Sequence, residues 1–219
     1  MKLYSYFRSS AAYRVRIVLN LKHINYDTVP VHLVKDGGQQ HSTEYLTINP
    51  QGLLPCLDVA APDSKAQIII QSGAIIEYLQ ERFPQPSLLP TSLIERAYVR
   101  SLMHIIACDM HPINNLRVLR YLEEHFDCDK AEKIRWYHHW LATGFAAIET
   151  LLAKKASTHY CYNEQVTLAD VYLIPQVYNA LRFKFDMTAY PAISHIYQHC
   201  ILLPAFSQAA PEQQPDVDK

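Results

Sequence analysis

The chain has 219 residues, 49% of them hydrophobic, which is enough apolar material for one large domain or two small ones with cores that fold independently. A formal net charge of -1 leaves no overall footprint for nucleic acid, no stretch approaches the roughly 20 apolar residues of a membrane span, and the start MKLYSYFRSS lacks the segments of a signal peptide, so a cytoplasmic protein without nucleic-acid or membrane partners is expected. The five cysteines never form a C-x-x-C pair and the five glycines cannot be arranged as a dinucleotide fingerprint or a phosphate loop, which argues against a disulfide framework, a zinc ribbon, a dithiol redox site and nucleotide binding by those routes.

Residues 2 to 7 read as a strand. RSSAAYRVRIVL follows, with Val15, Val18 and Leu19 on one face of a helix predicted over residues 10 to 22. A second strand is predicted near Tyr26 to Leu33, which gives β-α-β. Residues 34 to 52 are polar and rich in turn formers and suggest a loop with one short helix. LLPCLDV and AQIIIQ resemble two strands, and SGAIIEYLQERF reads as a helix with Ser72 as its N-cap. The prolines of FPQPSLLP cannot continue that helix, so the expected division is a domain over 1–84, a linker over 85–91 and a second domain over 92–219. Beyond the linker the pattern is that of amphipathic helices alone, and an all-helical second domain is predicted. Within it, His138 and His139 lack a third ligand for a metal site, and none is expected. Thr167 and Asp170 in VTLAD have the spacing of a helix cap, a folding role. The closing PEQQPDVDK is polar and expected to be loose.

Pro55 is the odd residue of the first half, because a proline entering a strand removes a ladder hydrogen bond. Together with the element order, RSSAAYRVRIVLNLK, KDGGQQ, NPQGLLPCLD, IQSGAIIEYL, CDMHPINNLRVL, VTLADVYLIPQV and RFKFDMTAYP resemble, in order and spacing, the blocks of the zeta class of glutathione transferases and its bacterial maleylacetoacetate isomerases. The likeness runs from residue 2 to about residue 215. It implies the glutathione transferase fold: an α/β thioredoxin-like N-terminal domain, in which Pro55 is cis, and an all-α C-terminal domain. It also implies a homodimer.

Glutathione is the cofactor that the resemblance implies, and the serine pair then has a physical purpose. A free thiol has a pKa of about 8.5, so only a small fraction is thiolate at neutral pH. A helix N-terminus offers unpaired N–H donors and the positive end of its dipole, and a hydroxyl adds a hydrogen bond to the sulfur. By resemblance Ser9 stabilises the thiolate, with Ser10 and the backbone N–H of Ala11 in support. Either serine also suits the N-cap of the helix, and the two roles coexist in one turn. Many zeta-class members carry cysteine where this chain has Ala11, which removes a protein thiol from that position.

The remaining contacts are carried over residue by residue. Gln71 and Ser72 are expected to hold the γ-glutamyl end, Leu54 to offer its backbone to the cysteinyl part beside Pro55, and Gln40 to reach the glycyl end or else to be a solvated loop residue. The second substrate implied is a small dianionic cis-ene, whose carboxylates suit arginine forks: Arg8, Arg117 and Arg182 are the candidates, with His111 and Asn115 from HPINN, and with a solvated helix face as the other reading of Arg117 and Arg182. The activity implied is glutathione-dependent cis–trans isomerisation of maleylacetoacetate to fumarylacetoacetate, in tyrosine and phenylalanine degradation, by thiolate addition, bond rotation and elimination. Maleylpyruvate isomerisation, conjugation or dehalogenation of small electrophiles, and a non-enzymatic interaction module are the other readings.

Overall fold

The computed structural model describes residues 1–61, 64–154 and 159–217. It divides into two compact units: residues 1–87 together with the chain from Leu203 onward, and Leu88–Leu202. The closing segment, expected to be loose and grouped with the helices, thus clusters with the first unit. Gln214 is buried there, and its side chain donates to the carbonyls of Gln208 (3.0 Å) and Ala210 (2.9 Å).

The first unit runs β1 (Lys2–Ser5), α1 (Ser10–Leu21), β2 (Asp27–Pro30), α2 (Thr43–Ile48), β3 (Cys56–Asp58), β4 (Ile68–Ile70) and α3 (Ser72–Arg82), and ends with α9 (Pro204–Ser207) after the helices of the second unit. The sheet order is β2-β1-β3-β4. β1 is parallel to β2 across the α1 crossover, a connection that parallel strands require, and antiparallel to β3, which is antiparallel to β4. Val15, Val18 and Leu19 are fully buried, as their spacing predicts, but burial runs round the whole helix from Ser10 to Leu19. The reason is that α1 packs against both α3 and α9. Asn20 donates to the Ala205 carbonyl (3.1 Å) and the Tyr13 hydroxyl to that of Phe206 (3.2 Å).

The second unit holds α4 (Leu93–His104), α5 (Leu116–Phe126), α6 (Lys130–Leu152), α7 (Leu168–Arg182) and α8 (Pro191–Cys200). Among its described residues no strand occurs. α4 continues into a π-helical turn, Ile105–Met110, of the kind often found near functional sites. Met110 is fully buried against Gly144 of α6, where an added Cβ would overlap its thioether. Asp170 is fully buried and accepts from the Thr167 N–H (2.7 Å), the Thr167 hydroxyl (2.8 Å) and the Cys161 N–H (2.7 Å), so the cap read in VTLAD is present and extends to a third donor nine residues upstream. Burial pushes this carboxyl up, and the donors pull it back toward the ionised form. No described helix is long and apolar enough to cross a membrane.

Candidate active site

Strand register decides what lies at one end of the first unit. Tyr4 pairs with Cys56 and Cys56 with Ile70, so three chain segments leave the sheet from the same row: the turn after β1 that ends at Ser9, the Leu54–Pro55 bend before β3, and the Gln71–Ser72 entry to α3. The likeness-derived glutathione residues of this unit therefore share one sheet end, Gln40 excepted.

At the first segment, the Ser9 N–H closes a turn onto the Tyr6 carbonyl (2.9 Å). Ser9, not Ser10, is the N-cap of α1: its backbone is extended and its Oγ accepts from the Ala12 N–H at 3.2 Å. Half-buried, it keeps a hydroxyl proton to donate. Ser10 is the first helical residue and is buried, and neither its N–H nor that of Ala11 has a hydrogen-bond acceptor among the described residues. A hydroxyl and two open amides at a helix start make a receptor for one anionic atom. Arg8 is exposed in the same turn, its guanidinium over the Phe7 ring at 4.7 Å.

At the third segment the structure corrects the expected cap. Gln71, with φ 69 and ψ 122, is the N-cap of α3, and Ser72 is its first residue. A left-handed φ on a glutamine costs on the order of 1–3 kcal/mol and is retained where surroundings demand it. Gln71 makes no side-chain cap; its amide donates instead to Gln51 Oε1 at 2.6 Å. The first helical amide bonded back to the N-cap is that of Ile75, so the N–H groups of Ser72, Gly73 and Ala74 are open toward a carboxylate. Gly73 and Ala74 escaped the sequence reading, because backbone donors carry no side-chain signature, and Gln51 escaped it because its partner Gln71 lies 20 positions away.

Between these segments the Leu54–Pro55 peptide is cis, and no described hydrogen bond engages the Leu54 N–H or C=O. The bend is braced from behind: the Leu53 carbonyl accepts from the Tyr45 hydroxyl (2.7 Å) and the Asn49 amide (2.8 Å). Cys56 lies against the Tyr45 hydroxyl at 3.0 Å, and burial pushes its thiol up, away from nucleophilic use. Gln40 is not the solvated loop residue of the alternative reading. It is 5% exposed, its carboxamide is folded under Gly38 (φ 106), and its Oε1 is buried without a partner.

In the second unit, His111 follows the π-turn, its N–H bonded to the Ile106 carbonyl at 2.9 Å. Asn115 is the N-cap of α5, its Oδ1 accepting from the Arg117 N–H at 3.1 Å, so its side chain has a folding role. The buried asparagine of HPINN is instead Asn114, which donates to the Tyr137 carbonyl (3.2 Å) while its Oδ1 stays unpartnered. Arg117 is exposed on α5. Arg182, exposed at the end of α7, donates to Asn179 Oδ1 (3.0 Å) and lies 4.5 Å from the Phe183 ring, while Asn179 donates to the Tyr137 hydroxyl (2.9 Å). Tyr137 of α6, which the sequence reading missed, thus ties the HPINN loop to the end of α7.

Residues 3–87 match the family model of the glutathione S-transferase N-terminal domain. A probable maleylacetoacetate isomerase of Vibrio cholerae is 49% identical, covering 98% of this chain and 97% of its own. A maleylpyruvate isomerase of a Ralstonia species is 45% identical over 99% of both. The solved holo structure of a maleylpyruvate isomerase, a bacterial glutathione S-transferase of the zeta class, superposes with a TM-score of 0.95 at 44% identity and covers both chains fully. The chain belongs to the zeta-class glutathione transferases. A further solved member, the maleylacetoacetate isomerase of Anaeromyxobacter dehalogenans, carries dicarboxyethyl glutathione and citrate in its active site; it is 36% identical with a TM-score of 0.87, over 100% of this chain and 97% of its own. The fold expected of a zeta-class chain, one thioredoxin-like domain and one helical domain, is the fold observed.

Proposed function

We propose that this zeta-class chain is a glutathione-dependent cis–trans isomerase acting on maleylacetoacetate, with maleylpyruvate as a second substrate that shares its charged ends. The observation that carries the reading is the single sheet end at which Ser9, the open Leu54 backbone and the α3 entry meet, a set of donors that fits a tripeptide with one thiol and one amino-acid end. The names of the relatives point to the same chemistry, and in the Anaeromyxobacter member one ligand joins the tripeptide to a two-carboxylate group.

Bound glutathione supplies a thiolate that adds to the cis double bond, leaves a single bond free to rotate, and departs from the trans product. The protein's own groups do the rest. The Ser9 hydroxyl donates to the sulfur, while the Ser10 and Ala11 amides and the helix dipole favour its anionic form. Ser72, Gly73 and Ala74 hold a carboxylate on their amides, with the Gln71 and Ser72 side chains beside it. Leu54 pairs with the peptide backbone as an added strand would. Arg8 receives a substrate carboxylate in the thiol turn, and Arg117, Arg182 and His111 are assigned to the same substrate.

The unpaired buried thiols Cys56, Cys161 and Cys200 support a reducing, cytoplasmic setting. Leu93 and Ile94, 83% and 78% exposed at the start of α4, support a homodimer that covers them.

Retention on immobilised glutathione and release by the free tripeptide test the reading directly; a protein that passes through the matrix is not this enzyme. Arg8→Ala is expected to lower kcat/KM for maleylacetoacetate about 10-fold, the worth of one charge-assisted contact, while conjugation of a neutral electrophile changes less than about 2-fold. Equal losses on both substrates would remove the carboxylate role from Arg8.

A further inference from the structure

The turn that delivers Ser9 is held from both sides by groups outside the glutathione site. Arg16, two turns into α1, is fully buried. Its Nη2 donates to the Phe7 carbonyl at 3.1 Å, its Nη1 donates to Ser5 Oγ at 3.1 Å with a longer approach to the Tyr6 carbonyl (3.5 Å), and its Nε donates to the Ala209 carbonyl at 2.9 Å. On the opposite polarity, the Phe7 N–H donates to Asp216 Oδ2 at 2.9 Å. Both hydrogen-bonding groups of Phe7, the residue two before Ser9, are thus committed, one to α1 and one to a carboxylate 209 positions along the chain. Asp216 Oδ1 is buried with no partner, so the Phe7 amide is the group to which the carboxylate is fastened.

We propose that the C-terminal segment from Ala209 to Asp216 is a positioning element for the thiolate turn. Asp216 acts directly on Phe7, and Ala209 acts by seating the Arg16 guanidinium against the Phe7 carbonyl. The inference rests on the assignment of Ser9 as the thiolate donor and deepens it. A hydrogen bond from hydroxyl to sulfur falls off steeply with distance and angle, so a turn free to rock by a fraction of an ångström lowers the thiolate population without removing any group that touches the peptide. Neither Asp216 nor Arg16 contacts the ligand in this scheme, and both act through the Tyr6–Ser9 turn.

The test compares Asp216→Ala with Asp216→Asn in the full chain. The asparagine keeps an acceptor for the Phe7 N–H and drops the charge. Three quantities are followed: the ultraviolet titration of the glutathione thiolate on the enzyme, the pH–rate profile, and the thermal midpoint. Asp216→Ala is expected to move the bound thiol's titration upward by about 0.5 to 1 in pH and to lower kcat about 5-fold at neutral pH, with KM for glutathione changed less than about 2-fold. Asp216→Asn is expected to recover most of that loss. A bound thiol that titrates alike in wild type and Asp216→Ala overturns the proposal, as does an asparagine variant no better than alanine, which would assign the effect to charge. If Asp216→Ala is too poorly folded to assay, Asp216→Leu, of similar size and without an acceptor for the Phe7 N–H, takes its place: an upward shift of about 0.5 or more supports the strap and a wild-type titration sinks it. A wild-type protein that binds glutathione without lowering its thiol pKa would instead remove the thiolate role of Ser9 itself.

Discussion

Replacing Ser9 by alanine is expected to lower kcat for isomerisation about 100-fold, while the variant keeps most of its affinity for immobilised glutathione. Two physical effects separate in that one substitution. In the proposed function the hydroxyl is the side-chain donor to the sulfur, and loss of one preorganised donor at a developing or resident charge costs on the order of 2.7–4 kcal/mol in well-studied hydrolases; a thiolate accepts more weakly than an oxyanion, which places the effect near the lower end. The same oxygen accepts from the Ala12 N–H at 3.2 Å as the cap of α1, and its removal costs about 1 kcal/mol of stability. The sign of the pH effect follows from the direction of stabilisation. If Ser9 lowers the thiol pKa on the enzyme, alanine raises it, and the acid limb of the pH–rate profile moves to higher pH. Part of the lost rate is then recovered in alkaline buffer. A Ser9→Ala enzyme with wild-type kcat and an unmoved acid limb would exclude the hydroxyl from the chemistry and leave it a cap alone. Ser10→Ala, in contrast, removes a buried side chain that makes no described hydrogen bond, and a loss under about 3-fold is expected of it.

Asp170→Ala should be the most destabilising single change away from the site. It removes one carboxylate and leaves three donors, the Thr167 N–H and hydroxyl and the Cys161 N–H, without acceptors in a fully buried place. Each unsatisfied buried donor costs about 1–3 kcal/mol, relaxation and water entry recover part, and a net loss of about 3–4 kcal/mol results. For a chain of this size that corresponds to a fall in Tm of roughly 6–16 °C, readable by calorimetry. Asp170→Asn keeps one acceptor oxygen and is expected to lose about half as much. A fall of less than about 2 °C for the alanine variant would mean that the cap is dispensable and that Thr167 finds other partners.

The legible parts of the chain were those written in side-chain periodicity. The face carried by Val15, Val18 and Leu19 and the cap in VTLAD are of this kind, and the structure has both. What escaped was written in backbone or in distant contacts. Nothing local separates Ser9 from Ser10 as cap; the closure of the Tyr6 carbonyl onto the Ser9 N–H does, and that depends on where β1 stops. Gln71 is an unfavourable residue for a left-handed cap, so the sequence pattern puts the cap one residue late, at Ser72. HPINN offers two adjacent asparagines, and only the packing of α6, through Tyr137, decides which is buried. Gln40 is polar in a polar stretch, and its burial follows from the absence of a side chain on Gly38. The order of the closing segment escapes for a similar reason: Gln214 donates to the Gln208 and Ala210 carbonyls and Asp216 accepts from the Phe7 N–H, partners that are backbone groups or lie far away in sequence.

The open amide and carbonyl of Leu54 carry a consequence for inheritance. Peptide groups at positions 10, 11, 54 and 72–74 are identical whatever side chain they bear, so under the proposed assignment a lineage can exchange nearly every residue around them and still grip the same tripeptide, provided the bends survive. Selection for a new electrophile is then free to act on the side chains alone, and duplicated copies of such a gene can diverge in what they transform long before they diverge in what they borrow to do it.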